Sequence, residues 1–122
     1  MAKRRILVVD DDTDILAYLQ AKMSSRYDVT STSEPKNVLA VVRRERPDVI
    51  VCDINMPEVD GVEISNALQA DEELRHIPLL FLTSIASRDD IKRLSGQLGG
   101  RPAVSKSESV AKLIEHIEAL LR

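Results

Sequence analysis

The sequence predicts a doubly wound α/β fold: a five-stranded parallel sheet of order 2-1-3-4-5 with five helices. Three observations predict it. Short apolar runs alternate from end to end with segments of helical periodicity. Those runs are continuous rather than alternating, as expected of parallel strands covered on both faces. With right-handed crossovers few strand orders remain, and 2-1-3-4-5 puts the first and third strands side by side at the switch point.

The first strand is read from Arg5 to Asp10, through Ile6-Leu7-Val8-Val9. Ile15, Leu16, Leu19 and Met23 then recur at helical spacing, with Asp12 or Thr13 as N-cap. A weaker second strand covers Tyr27 to Ser31. Pro35 suits the first turn of the next helix, whose apolar face is Val38, Leu39, Val41 and Val42, and Pro47 closes it. Asp48 to Asp53 is the third strand, followed by the loop Asn55 to Gly61 and a helix from Val62 to Ala70. Pro78 opens the fourth strand, Leu79 to Leu82. The helix read from Arg88 to Leu98 has few anchors (Ile91, Leu94, Leu98) and an interior Gly96. Gly99-Gly100 reads as a turn, not a phosphate loop, because no lysine or helix start follows in the right place. Pro102 to Lys106 is a short fifth strand whose opening proline suits a sheet edge. The last helix has the clearest stripe: Val110, Leu113, Ile114, Ile117, Leu120 and Leu121.

At 122 residues the chain is expected to form one domain, residues 1–122, large enough to bury a core unaided. A net charge of −3, with acids and bases spread along the chain, argues against direct nucleic-acid binding. Cys52 is the only cysteine, which excludes an internal disulfide and a zinc cluster and reads as a buried thiol. The apolar run after Lys3-Arg4-Arg5 is too short for a signal peptide, and no stretch is long enough to span a membrane. A cytoplasmic protein is expected.

The apolar runs end in residues with chemistry: Asp10-Asp11, Asp53, Thr83 and Lys106. Ligand sites of open parallel sheets lie beyond the carboxyl ends of the strands, so these groups should share one crevice. Carboxylates that close together repel unless a cation intervenes, and magnesium is the usual hard ion for such a set. Asp53, central in the crevice, is the best-placed nucleophile for a phosphoryl group. Lys106 would neutralise phosphoryl oxygens, Thr83 would donate to one, and backbone N–H groups near Asn55 and Ser84 would add donors. Each residue alone has a plainer reading: a capping charge run, a loop carboxylate, a helix cap, a surface lysine. Their arrival at one sheet edge favours the joint reading. His76 and His116 fall on polar positions and read as surface groups.

Over its whole length the chain resembles the receiver domains of two-component response regulators, which have a flavodoxin-like fold. The segments that carry the resemblance are Ile6 to Asp12, Asp53 to Gly61, Leu82-Thr83-Ser84 and Lys106. It implies that Asp53 accepts a phosphoryl group from a histidine kinase or a histidine phosphotransfer protein. It also implies that Asp11, Asp53 and the Asn55 carbonyl hold magnesium, with Asp10 assisting. Thr83 and Lys106 would contact the phosphoryl group. Such a protein is a switch rather than an enzyme, acting on a downstream protein or relaying the group onward.

Two positions depart from the family. Ala103 stands where an aromatic usually couples to the threonine, so the ordinary coupling has no rotamer to move. Output through the helix read from Arg88 to Leu98 is the expected substitute. Ser107 stands where a proline usually makes a cis bond to the lysine, and a trans bond is expected because cis costs about 3–4 kcal/mol without proline. Glu108 also replaces an apolar residue, so an unusual partner or a homodimer mode is expected. The alternative function is a constitutive interaction module with a degenerate site. A haloacid-dehalogenase type of phosphatase would need an aspartate where this chain has Asn55.

Overall fold

The computed structural model describes residues 2–84, 97–98 and 100–122. Five parallel strands carry it: β1 (Arg5–Val9), β2 (Asp28–Thr32), β3 (Val49–Cys52), β4 (Leu79–Thr83) and β6 (Arg101–Ser105). Their order is β2-β1-β3-β4-β6, the expected 2-1-3-4-5 arrangement of parallel strands. Outside β6 lies a two-residue strand, β5 (Gln97–Leu98), which runs antiparallel to it. Among the described residues there are four α-helices: α1 (Thr13–Met23), α2 (Val38–Glu45), α3 (Gly61–Ala70) and α4 (Val110–Leu121).

Two expectations need correction here. Gln97 and Leu98, read as the end of a helix, pair instead with Pro102 and Arg101 across a turn in which Gly100 has φ +78°. That left-handed backbone is open to glycine without steric penalty. The remainder of the expected helix, residues 88–96, and the output route assigned to it lie outside the described residues. The strand opened by Pro102 is therefore not outermost along its whole length. Pro102 itself sits outside the β4 ladder, which runs from Ala103 to Ser105, so its missing N–H leaves that ladder intact.

The sheet divides the core in two, as continuous apolar strands require. Leu7, Val9, Ile50, Cys52, Leu79 and Phe81 face α2 and α3, while Ile6, Val8, Val49, Val51, Leu80 and Leu82 face α1 and α4. The helices bury the stripes expected of them: Leu16, Leu19 and Met23 from α1, Val38, Val41 and Val42 from α2, and Leu113 and Ile117 from α4. Asp12 caps α1 by accepting from the Asp14 N–H, and Asp60 caps α3 by accepting from the Glu63 N–H at 2.8 Å. A 3-10 turn, Pro35–Asn37, leads into α2. Buried Tyr27 ties the end of α1 to α4 by donating to Glu118 Oε2 at 2.5 Å. Burial, then that bond, pushes the phenol up to about 12.

Helix α2 ends at Arg46, in the left-handed region with φ 49°. An L-residue pays there for the close approach of its Cβ to the backbone. Arg46→Gly is therefore expected to stabilise the protein, by less than about 1 kcal/mol once the added freedom of the unfolded chain is subtracted. Urea unfolding would show it as a higher midpoint with an unchanged slope.

Candidate functional site

Register brings the site residues together before any side chain is considered. Val9 of β1 lies opposite Cys52 of β3, and the Asp53 N–H continues that ladder to the Val9 carbonyl at 2.9 Å. Asp10 and Asp53 thus leave adjacent strands at one level. On the other side Thr83 lies opposite Ser105, and the Lys106 N–H donates to the Thr83 carbonyl at 2.8 Å. Four consecutive strand ends therefore open on one crevice.

Asp10, Asp53 and Thr83 are buried, at 2%, 5% and 0% exposure, and Asp11 lies exposed at the mouth. One carboxylate oxygen from each of Asp10, Asp11 and Asp53 lies within 4.8 Å of the other two. Lys106 reaches in from β6, its Nζ 2.8 Å from Asp10 Oδ2 and 3.5 Å from Asp53 Oδ1. Asp10 Oδ1 also accepts the Asp12 N–H at 2.9 Å, which fixes the acidic turn.

Burial first, and then the charge of Asp10, holds the Asp53 carboxyl above its ordinary pKa. Lys106 and a hydrogen bond from the Asn55 N–H pull it back without reversing the shift. For Lys106 burial acts to lower the pKa, but Asp10 and Asp53 outweigh it and the net shift is upward. Among the described residues, the pocket thus holds more negative charge than the Lys106 ammonium balances. The next residue inward, Cys52, is a thiol that burial pushes upward and keeps inert.

This donor set fits a magnesium ion. At metal–oxygen distances of 2.0–2.1 Å an octahedron places its oxygens about 3 Å apart when adjacent and about 4.2 Å when opposite. Three carboxylate oxygens inside 4.8 Å need only a small closure to reach that spacing. All are hard oxygen donors, as magnesium prefers.

The loop after Asp53 is pinned from below. Ile54 and Met56 are buried in the α2/α3 side of the core, so exposed Asn55 between them stays at the rim of the crevice. Gly61, at the start of α3, donates to the Ile54 carbonyl at 2.7 Å. Glu58 takes φ 70° and pairs with Lys36 at 3.1 Å.

The two departures from the family pattern take definite form. Ala103 is buried opposite Phe81, with no side-chain torsion to change. No cis peptide occurs among the described residues, so the Lys106–Ser107 bond is trans, as expected. The chain after Lys106 is held instead by Ser105, whose Oγ accepts the Ser107 N–H at 3.1 Å. Sequence reasoning passed over Ser105, and the one available signal was a hydroxyl directly before a turn. His76 is exposed and His116 half-buried, both away from the crevice residues in sequence and neither among the grouped metal ligands.

Comparison with known proteins agrees with this geometry. The family model for the response regulator receiver domain matches residues 6–118. The polar-differentiation response regulator DivK of Brucella anthropi is 35% identical over 121 residues, covering 99% of this chain and 98% of that protein. Among solved structures, the chemotaxis protein CheY4 of Vibrio cholerae superposes with a TM-score of 0.81 at 26% identity, covering 98% of this chain and 100% of that one. The BeF3-activated N-terminal receiver domain of Klebsiella pneumoniae RstA gives a TM-score of 0.82 at 26% identity, covering 98% and 99%. With its fold, its strand-end acids and its lysine all in place, the chain belongs to the response regulator receiver domain family of two-component signalling.

Proposed function

We propose that residues 1–122 act as one receiver domain, a switch rather than an enzyme, that accepts a phosphoryl group on Asp53. The observation that carries this is the placement of Asp53. It is buried at the centre of the crevice, with Lys106 Nζ at 3.5 Å and two further aspartates alongside. Receiver domains of this family interact with histidine kinases or histidine phosphotransfer proteins, and one of these is the proposed donor. An Asp53 carboxylate oxygen attacks phosphorus as the phosphorus–nitrogen bond of the phosphohistidine breaks. The departing imidazole keeps that electron pair and takes a proton from water. Lys106 neutralises the phosphoryl oxygens, and Thr83 hydrogen-bonds one of them when it moves.

Magnesium, held by Asp11, Asp53 and the Asn55 carbonyl with Asp10 assisting, would screen the charge of donor and acceptor. The close grouping of the Asp10, Asp11 and Asp53 carboxylates supports this assignment, since a cation would relieve their mutual repulsion. The proposed location is cytoplasmic, where a kinase has ATP, and the output is a phosphorylation-dependent surface for another protein or a second copy, or onward relay.

Intact-mass spectrometry after incubation with acetyl phosphate and magnesium tests the reading. Gain of one phosphoryl group is expected, with none in Asp53→Asn or without magnesium. Folded protein that gains nothing under any condition would instead support a constitutive interaction module.

A further inference from the structure

We propose that Ser105 is a positioning residue for Lys106, taking over the constraint that a cis proline after the lysine supplies elsewhere in the family. The inference rests on the phosphoryl-acceptor reading above, which gives Lys106 its task.

Lys106 can serve Asp53 only if its Cα is held on both sides, because its side chain is long and flexible. On the near side its own N–H is fixed to the Thr83 carbonyl at 2.8 Å. On the far side the peptide is trans, and serine imposes no ring constraint on the backbone. There Ser105 supplies two bonds. Its Oγ accepts the Ser107 N–H at 3.1 Å, and its carbonyl accepts the Glu108 N–H at 3.0 Å. Its hydroxyl also lies 2.7 Å from the Ser107 hydroxyl, and one of the two donates to the other. The Ser105 side chain closes a small turn over Lys106, of the kind serine forms with a backbone N–H two residues on.

A proline at 107 could not make the side-chain bond, since it has no N–H. The serine at 107 and the serine at 105 thus form one device. Ser105 is itself buried, at 3% exposure, and sits directly opposite Thr83 in the sheet. Its side-chain hydrogen bonds go to Ser107 and its carbonyl bond to Glu108, so its action runs through the lysine backbone.

Ser105→Ala, Lys106→Ala and the double variant test this. Phosphorylation of Ser105→Ala by acetyl phosphate should slow about tenfold, as expected for loss of one hydrogen bond that positions a charge-neutralising group. Its magnesium affinity by titration calorimetry should stay within about twofold, since the carboxylates are untouched, and Ser105→Thr should restore the rate. In the Lys106→Ala background the Ser105 change should alter the rate by less than about twofold, the non-additivity of residues acting as a unit. A wild-type rate in Ser105→Ala, or a full further loss on top of Lys106→Ala, overturns the proposal.

Trace labelling of lysines with acetic anhydride gives a readout independent of phosphorylation. Lys106 should label faster in Ser105→Ala than in wild type, with Lys3 and Lys112 unchanged. Unchanged labelling of Lys106 overturns the proposal. If wild-type protein accepts no phosphoryl group, the acceptor reading falls, and the labelling alone decides whether Ser105 holds the lysine.

Discussion

Gly61→Ala is expected to destabilise the protein by about 3 kcal/mol or more, and to weaken the site with it. A Cβ at Gly61 would lie 2.4 Å from the Asp53 carbonyl oxygen, 2.9 Å from the Ile54 Cα and 3.1 Å from the Asp53 carbonyl carbon. All three are backbone atoms, so no side-chain rotation relieves the overlap. The loop cannot simply lift away, because the Gly61 N–H is bonded to the Ile54 carbonyl and Ile54 and Met56 are seated in the core. Either α3 withdraws, opening space beside Ile64 and Leu68, or the strand end carrying Asp53 is displaced. The first loses packing and the second moves Asp53. Urea unfolding measures the loss, and a wild-type midpoint in Gly61→Ala would sink the argument. The requirement here is close approach, not backbone handedness, so serine should fail as alanine does.

In metal-free buffer at neutral pH, Asp53→Asn should be more stable than wild type, because burial and then the charge of Asp10 hold the acid above its ordinary pKa. The sign follows from linkage. A carboxyl whose folded pKa is raised binds more protons in the native state than in the unfolded one. Its contribution to stability therefore falls as pH rises from the ordinary carboxylate value through the raised one. Above that window wild-type protein carries the full cost of the buried charge, which the amide avoids. Thermal melts across pH 4 to 8 (a range of about four units set by the carboxylate values) should show the variant's advantage growing with pH. Magnesium should then raise the melting temperature of wild type more than that of Asp53→Asn. An Asp53→Asn variant less stable than wild type at neutral pH would mean that Lys106 more than compensates the Asp53 charge, contrary to the upward direction of its shift.

The parallel core of the fold was legible because its signals are long-range and redundant. Ile6 to Val9, Val49 to Cys52 and Leu79 to Leu82 are apolar without interruption, and each ends in a polar group that register must bring to the same edge. The convergence of Asp10, Asp11 and Asp53 follows from that alone, and Lys106 joins them from the end of β6. What could not be read depends on geometry over two or three residues. A strand of two residues, Gln97–Leu98, has no period to detect, and Leu98 fits a helical spacing as well as a strand. Ser105 gains its place only once the turn after Lys106 is trans and its N–H points back. Gly61 stood in a recognisable segment, but the reason for its missing side chain lies in the path of the Asp53 carbonyl, just past the end of β3, beneath it.

The short ribbon beside β6 bears on how this protein behaves when crowded. A parallel sheet has two open margins, and a long apolar margin recruits other chains. Here one margin ends in two residues of β5 paired to a proline-containing stretch, which offers a neighbouring chain few consecutive partners. The opposite margin, β2, reads Asp-Val-Thr-Ser-Thr, a single valine among a charge and three hydroxyls. Among the described residues, neither margin therefore offers another chain a long apolar strand to extend.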